Sequence, residues 1–483
     1  MIEYRPVLFV IGILLSALAI AMLIPAVVDL LGQSNNWGSF FMSAFLTAFV
    51  GIALILTNQG QKFNLNLKQA FILTAASWFV VVAFSALPFL FSELKLSYTD
   101  AFFEAMSGIT TTGASVIIGL DYLPKGILLW RSLLTAIGGI GIIVFALAIS
   151  PMLRIGGMQL FKTESSDKSD KIMSRMAQVS ISVISVYILL VALCGIGLWL
   201  AGMSAFDAIN HAFSTISTAG FSTHDTGFSF YNSAYIDYTA TLFMAASGIP
   251  FVLYVQFLRG DGQAFYKDEQ VKWYLCILAG SILIVTIWLY FGKNFDWLTS
   301  LRYGTFNVTS VITTTGFTSS SDYASWGSFI TTFLFMLCVV GGCNGSTTGG
   351  IKTFRFQVLY QTAKSQLVQL IQPHAIVKMR YNGKAIPDGV TASVMSFIIL
   401  YGFAFMMVAI VLSFSGLDFL TSMSASAACL SNSAHGLGHI IGPNGNYSTL
   451  PDLAKWVLSF AMLLGRLEIF TILVLFSTKF WKG

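Results

Sequence analysis

The sequence predicts an all-α integral membrane protein in which four short re-entrant segments, held between long apolar spans, surround one pore. Three observations predict it. Charged residues make up 10% of the 483 and hydrophobic residues 56%, more apolar surface than a soluble chain can bury. One short pattern recurs four times, each copy between hydrophobic segments. Basic and acidic residues segregate onto alternate loops.

The first apolar run, 6–31, is broken only by Ser16 and Asp29 and preceded by the lone Arg5. It exceeds a signal-peptide core, so a first transmembrane helix is expected. About 20 apolar residues cross a bilayer. On that ruler about ten spans follow: 7–30, 39–57, 69–92, 127–150, 178–201, 235–258, 272–292, 326–342 continuing to 366 after a break, 390–413 and 454–478. They divide into two extra N-terminal helices (1–66) and four units of span, pore loop and span (67–165, 166–262, 263–384 and 385–483).

The recurring segments are too short to cross. Asp100-Ala101-Phe102-Phe103-Glu104 leads to Thr110-Thr111-Thr112-Gly113. Asp207 to Phe213 leads to Ser217-Thr218-Ala219-Gly220, and Tyr303 to Thr309 leads to Thr313-Thr314-Thr315-Gly316. The weaker fourth copy ends Ser431-Asn432-Ser433-Ala434. Their spacing of roughly a hundred residues marks internal repeats. Non-helical backbone at membrane depth is tolerated only where protein or a water-filled cavity satisfies it, which implies one shared pore.

The loops on one side hold 19 of the 26 basic residues against 8 acids, and those on the other hold 12 acids. The basic side is therefore expected to be cytoplasmic, with both termini there. The acidic side would carry the pore loops and concentrate cations, although the asymmetry also serves insertion alone.

A cation leaving water must regain oxygen ligands, which filters supply as backbone carbonyls helped by hydroxyls. The threonines, serines and Asn432 fit that need. Glycine after them permits the required backbone, and short helices aim partly negative C-terminal ends at the ion. The chemistry suits a large monovalent ion such as potassium, since divalent sites recruit several carboxylates.

Together with Gly341-Gly342-Cys343-Asn344-Gly345-Ser346-Thr347-Thr348-Gly349-Gly350 and Gly465-Arg466-Leu467-Glu468-Ile469-Phe470-Thr471, these loops resemble the TrkH/TrkG potassium-uptake subunits of the Trk/Ktr/HKT superfamily across essentially the whole chain. The resemblance implies K+ as the transported ion, no catalytic cofactor, and a filter to which Gly113, Gly220 and Gly316 each contribute. It implies a gated, selective pore for uptake across the bacterial inner membrane. It also implies homodimers and a cytosolic TrkA-like nucleotide-binding ring, docked on basic loops such as Lys352 to Lys384. The lipid bilayer is a further partner, and no nucleic acid is expected.

The fourth copy departs from the family's Asn-Asn/Thr-x-Gly-Pro-Gly-Leu-Gly: Ala434 stands at the glycine position and His435 at the proline. Either this wall is reshaped or Gly436 takes over after a shift. His435 either adds charge at low pH or is a hydrogen-bonded structural residue. By resemblance, Gly345, Ser346, Thr347, Gly349 and Gly350 belong to a gating loop; a kinked, closely packed helix is the alternative. Arg466, in the last span, is assigned to pore closure or ion control, with structural pairing the alternative. Glu468, two residues on, points elsewhere on a helix.

Other readings are weaker. Gly345 to Thr353 imitates a phosphate loop, but Ile351 intervenes and apolar spans flank it. Gly138-Gly139-Ile140-Gly141 reads as close helix packing. Sodium permeation, or Na+- or H+-coupled potassium symport, is the alternative transport reading. Such coupling uses intramembrane carboxylates, of which few occur here. A serine protease pairing Ser346 with His435 would leave the fourfold pattern without a role. The chain is therefore not expected to be an enzyme. The five cysteines show no metal or redox spacing and read as packed thiols.

Overall fold

A computed structural model describes residues 3–60, 66–145, 169–319, 323–375, 379–387, 389–442 and 445–482. Lys62, Arg154, Lys162, Lys168 and Lys378, part of the basic set above, lie outside them, as do the side chains of Lys171, Arg175 and Lys384. Among the described residues the fold is all-α apart from a small hairpin pairing Arg380–Tyr381 with Lys384–Ala385 and a bridge between Val340 and Ile351. Among the described residues, seven helices are long and apolar enough to cross a membrane: Arg5–Leu31, Trp37–Asn58, Leu67–Phe91, Lys125–Val144, Gln178–Leu200, Glu269–Lys293 and Val390–Phe414. Their outward faces keep large apolar side chains exposed, among them Ile20, Phe45, Phe49, Ile399 and Phe403. That is the surface of an all-α membrane protein, for which lipid is the solvent.

Two further apolar stretches bend sharply. Ala234–Ser247 and Phe251–Leu258 meet at 93°, and Asp452–Arg466 and Phe470–Phe476 at 107°; counting each pair once gives nine spans. The apolar runs 235–258 and 454–478 are each expected to be one span. The first breaks at Gly248-Ile249-Pro250, where proline lacks the donor that would continue the helix and disfavours it at the residue before. The second breaks where Glu468 and Ile469 take φ of 61° and 34°. Ser328–Cys338 has only 11 residues, about half a bilayer at ~1.5 Å per residue.

Between these elements sit four short helices, Tyr98–Ile109, Ala205–Ile216, Trp297–Ile312 and Phe419–Ser431. Each opens on a side chain that accepts from the third backbone N–H of the helix: Ser97 from Asp100, Ser204 from Asp207, Asp296 from Thr299 and Asp418 from Thr421. Capping fixes the start of each helix and therefore the depth of its end. The glycine run Gly138-Gly139 does bring elements close. A Cβ on Gly138 would lie 1.9 Å from Ile109 O, at the end of the first short helix, and one on Gly139 3.0 Å from the Ser217 Cβ. All five cysteines are free; four are buried as expected, but Cys276 is exposed on its helix.

Two polar fixtures anchor the helix ends. Asp29, 1% exposed, accepts from Gly126 N at 2.6 Å and from Asn36 Nδ2 at 3.1 Å, tying the first helix to the start of Lys125–Val144. Outside the helices, His224 bonds Asp121 through Nδ1, faces Asp207 at 3.7 Å and stacks on Phe230 with centroids 3.6 Å apart. Burial works against its charged form, but bonds to Asp207 and Asp121 outweigh it and raise its pKa.

Asp29→Ala strands two buried donors and should cost about 1–3 kcal/mol, read as a lower melting temperature of the purified protein; Asp29→Asn should retain part of it. His224 stabilises the fold fully below the ordinary imidazole pKa and loses that contribution as pH rises through the raised one. The melting temperature should therefore fall as pH rises from about 6.5 through the raised pKa, and His224→Gln should flatten that dependence.

Candidate functional site

The four short helices end in turns of one backbone design. The second residue of each turn is left-handed: Thr111 at φ 51°, Thr218 at 56°, Thr314 at 55° and Asn432 at 54°. The fourth residue is left-handed too: Gly113 at 84°, Gly220 at 84°, Gly316 at 94° and Ala434 at 53°. The third residue of each donates its N–H into the helix behind: Thr112 to Ser107 O, Ala219 to Ser214 O, Thr315 to Ser310 O and Ser433 to Ala428 O, at 2.8–2.9 Å. Ala434 thus adopts the conformation its glycine counterparts adopt, with no shift to Gly436. A Cβ there costs about 1–2 kcal/mol.

The turns also meet one another. A Cβ on Gly113 would lie 1.8 Å from Ala219 O, one on Gly220 2.1 Å from Thr315 O, and one on Gly316 2.8 Å from Ser433 O. Each terminal glycine therefore packs on the carbonyl before the terminal residue of the next turn. The Ala434 methyl lies 3.4 Å from where Cβ atoms of both Gly113 and Gly316 would stand. All sixteen residues predicted for a filter, 110–113, 217–220, 313–316 and 431–434, belong to this cluster. A cavity of about 130 Å³ opens on one side of it, lined by Gly113, Gly220, Gly316, Ala434, His435 and Arg131 among others.

The hydroxyls are less free than the sequence suggests. Those of Thr110, Thr313 and Ser431 each donate to the carbonyl four residues back, at 2.6–2.7 Å. Thr218 Oγ1 donates to Ser217 O, and Asn432 Nδ2 donates to Thr112 Oγ1 and Met462 O. Donation uses these hydroxyls' hydrogens and leaves their lone pairs, so the turns can offer a dehydrated cation both backbone carbonyl and hydroxyl oxygens.

On the other side of the turns lies the irregular segment 341–350. Thr347 Oγ1 donates to Ile216 O at 2.8 Å, Gly349 N to Thr314 Oγ1 at 2.8 Å and Gly350 N to Ser431 O at 2.9 Å. It is therefore bonded to the second, third and fourth walls. Gly349 sits so near Ser431 O that a Cβ would fall 2.1 Å from it. Gly345 holds φ 79° and accepts from Phe251 N, just past the 93° bend. Ser346 Oγ donates to Cys343 O at 2.6 Å, whereas His435 lines the opposite cavity, so no nucleophile–base pair forms between them.

Arg466, 3% exposed, donates from Nη1 to Thr347 O at 2.9 Å. Its Nε and Nη2 lack hydrogen-bond partners among the described residues. Arg466, Lys352 and Glu468 line one small cavity with the segment. Lys352 Nζ bonds Thr348 O, and Glu468, turned away by the helix break, pairs with Arg355. Lys352 and Arg355 are 8% and 0% exposed, so the basic docking face expected to begin at Lys352 excludes both. Lysine and arginine spacing cannot distinguish a snorkelling charge from a buried pair; Lys364 is exposed.

The TrkH family, described as cation transport protein, matches residues 38–482. Trk system potassium uptake protein TrkI of Halomonas elongata is 41% identical, over 99% of this chain and 97% of its own length. Trk system potassium uptake protein TrkH of Escherichia coli is 35% identical, over 99% and 100%. The crystal structure of the potassium transporter TrkH from Vibrio parahaemolyticus is similar at a TM-score of 0.92, with 34% identity and full coverage of both chains. With relatives this similar from end to end, the chain belongs to the TrkH family of cation transport proteins.

Proposed function

We propose that this chain takes up potassium through a gated, selective pore in the bacterial inner membrane. The observation that carries the reading is the ring of four turns with one backbone design, each packed on the next. Residues 110–113, 217–220, 313–316 and 431–434 form the filter, through backbone carbonyls helped by hydroxyls. About ten spans arranged as two N-terminal helices and four pore units fit the four capped helices, and the positive-inside rule puts both termini in the cytoplasm.

Gly345, Ser346, Thr347, Gly349 and Gly350 gate the pore, and Arg466 holds them shut. Bonds from this segment to three walls of the ring, and the Arg466–Thr347 bond, support that assignment. Two buried cations beside the segment oppose passage of a third while it is closed. The names of the relatives place them in a Trk system; this chain would likewise act with a cytosolic nucleotide-binding subunit of TrkA type, as a homodimer.

Flux into proteoliposomes tests the reading. Under an imposed voltage, K+ and Rb+ uptake should follow the electrical gradient and exceed Na+ uptake about tenfold. Uptake that required a sodium or proton gradient would refute passive permeation. Arg466→Ala removes a charged donor to Thr347 O and should raise basal flux roughly tenfold. Unchanged flux at equal reconstituted amounts would remove Arg466 from the gate.

A further inference from the structure

Behind each turn lies a buried polar side chain that bridges it from one side to the other. Glu104, His211 and Asn307 each stand nine residues before Gly113, Gly220 and Gly316. Each reaches a hydroxyl two or three residues beyond that glycine. Glu104 accepts from Ser115 Oγ at 3.0 Å, His211 Nε2 bonds Ser222 Oγ at 3.1 Å, and Asn307 Nδ2 bonds Ser319 Oγ at 3.0 Å. In the fourth wall Ala425 takes that position. Its neighbour Ser424 does the bridging, accepting from Leu437 N at 3.1 Å and bonding Leu437 O at 3.3 Å. All four bridging residues are at most 1% exposed. Four different chemistries thus close the same loop.

His211 and Asn307 match more closely still. Each also bonds the carbonyl four residues back, Asp207 O at 2.9 Å and Tyr303 O at 3.0 Å.

A second set of bonds runs from wall to wall, at or next to the residues these bridges reach. Arg131, held by Glu104 at 2.8 Å, donates from Nη1 to Ser222 O at 2.9 Å. Ser229 Oγ donates to Ser319 O at 3.2 Å and Tyr323 Oη to Gly436 O at 3.0 Å. Tyr447 N donates to Ser115 O at 2.8 Å. The four links run first wall to second, second to third, third to fourth and fourth to first, closing a collar.

We propose that Glu104, His211, Asn307 and Ser424 are positioning residues for ion selection, each clamping one filter turn so that the collar holds the ring at a fixed bore. The inference rests on the reading of the four turns as the filter. The ion never meets these side chains. They act by denying the carbonyls the small inward movement that would wrap a dehydrated sodium ion as well as a potassium ion. Buried polar networks restrict a structure to one arrangement to the extent that their members are satisfied; here the bridging atoms are all bonded, while Asn307 Oδ1 has no partner among the described residues.

The test is the K+/Na+ permeability ratio of full-length protein in proteoliposomes, with melting temperature measured alongside. His211→Leu and Asn307→Leu should each lower the ratio about threefold or more, the scale of one lost buried hydrogen bond. His211→Asn should keep the ratio within about twofold, because Asn307 makes the same two bonds in the next wall. Ser222→Ala and Ser319→Ala cut the same bridges by removing one hydroxyl, and should lower the ratio if the leucine variants fail to fold. Gly316→Ser probes the filter reading itself. If Gly316→Ser alters the ratio while the bridge variants change only melting temperature, the proposal is wrong and the filter reading stands. If Gly316→Ser also leaves the ratio unchanged, the filter reading fails and the proposal with it. Loss of selectivity in His211→Asn equal to that in His211→Leu would likewise overturn the bridging role.

Discussion

A helix that ends inside a membrane leaves backbone groups that water cannot reach, and the rest of this structure depends on how those groups are satisfied. Four helices end this way. Each is capped at its start by a serine or aspartate and finished by a turn whose third residue donates back into the helix. The carbonyls left over at two of the four ends accept hydrogen bonds from segment 341–350, and a third packs against a glycine. Ile216 O takes Thr347 Oγ1, Ser431 O takes Gly350 N, and Ile109 O lies against Gly138, whose missing side chain lets a helix approach. The irregular segment 341–350 is therefore part of the solution to an unsatisfied-backbone problem. Its glycines follow from that: at Gly349 a side chain would strike the carbonyl that Gly350 must bond.

The parts that sequence made legible are those with a repeating or compositional signal. Long apolar runs announced the membrane, and recurrence of hydroxyl-rich turns announced four equivalent positions, all of which lie together. Arg466 stood out because charge is rare in an apolar span. What escaped has no periodic mark. The bends near Pro250 and Ile469 lie inside runs that a length ruler counts as single spans; Pro250, and Arg466 with Glu468, mark the places, but tertiary packing sets the right angle. Glu104, His211 and Asn307 share a position but no chemistry, so their equivalence appears only when each is seen bonding a hydroxyl past the turn. Lys352 and Arg355 look like a cytoplasmic basic cluster in sequence. Their burial depends on Thr348 O and on Glu468, which faces them only because the last helix breaks. A signal for the bridging residues did exist: in three of the short helices a large polar side chain stands at a constant distance before the turn's glycine.

Ala434 sets the ring apart from strict fourfold symmetry. Its left-handed backbone is strained for a residue with a Cβ, and such strain persists only where the surroundings over-determine it. Here Asn432 supplies part of that constraint, reaching Thr112 of the first wall and Met462 O of the last helix pair. The Ala434 methyl faces the space that Gly113 and Gly316 leave open, so one quadrant carries a side-chain carbon where its glycine counterparts carry none.

If segment 341–350 gates the ring as proposed, its attachment to three walls makes pore and closure thermodynamically inseparable. Moving the segment breaks bonds to Ile216, Thr314 and Ser431, and every one of those residues belongs to a wall of the ring. Two sites joined in this way obey reciprocity: whatever factor the segment's position contributes to ion affinity, ion occupancy must return to the segment's equilibrium. On that reading, an ion seated in the ring is an effector as well as cargo. Two cations that pass equally well but rest differently among the carbonyls would leave the same protein open for different fractions of the time.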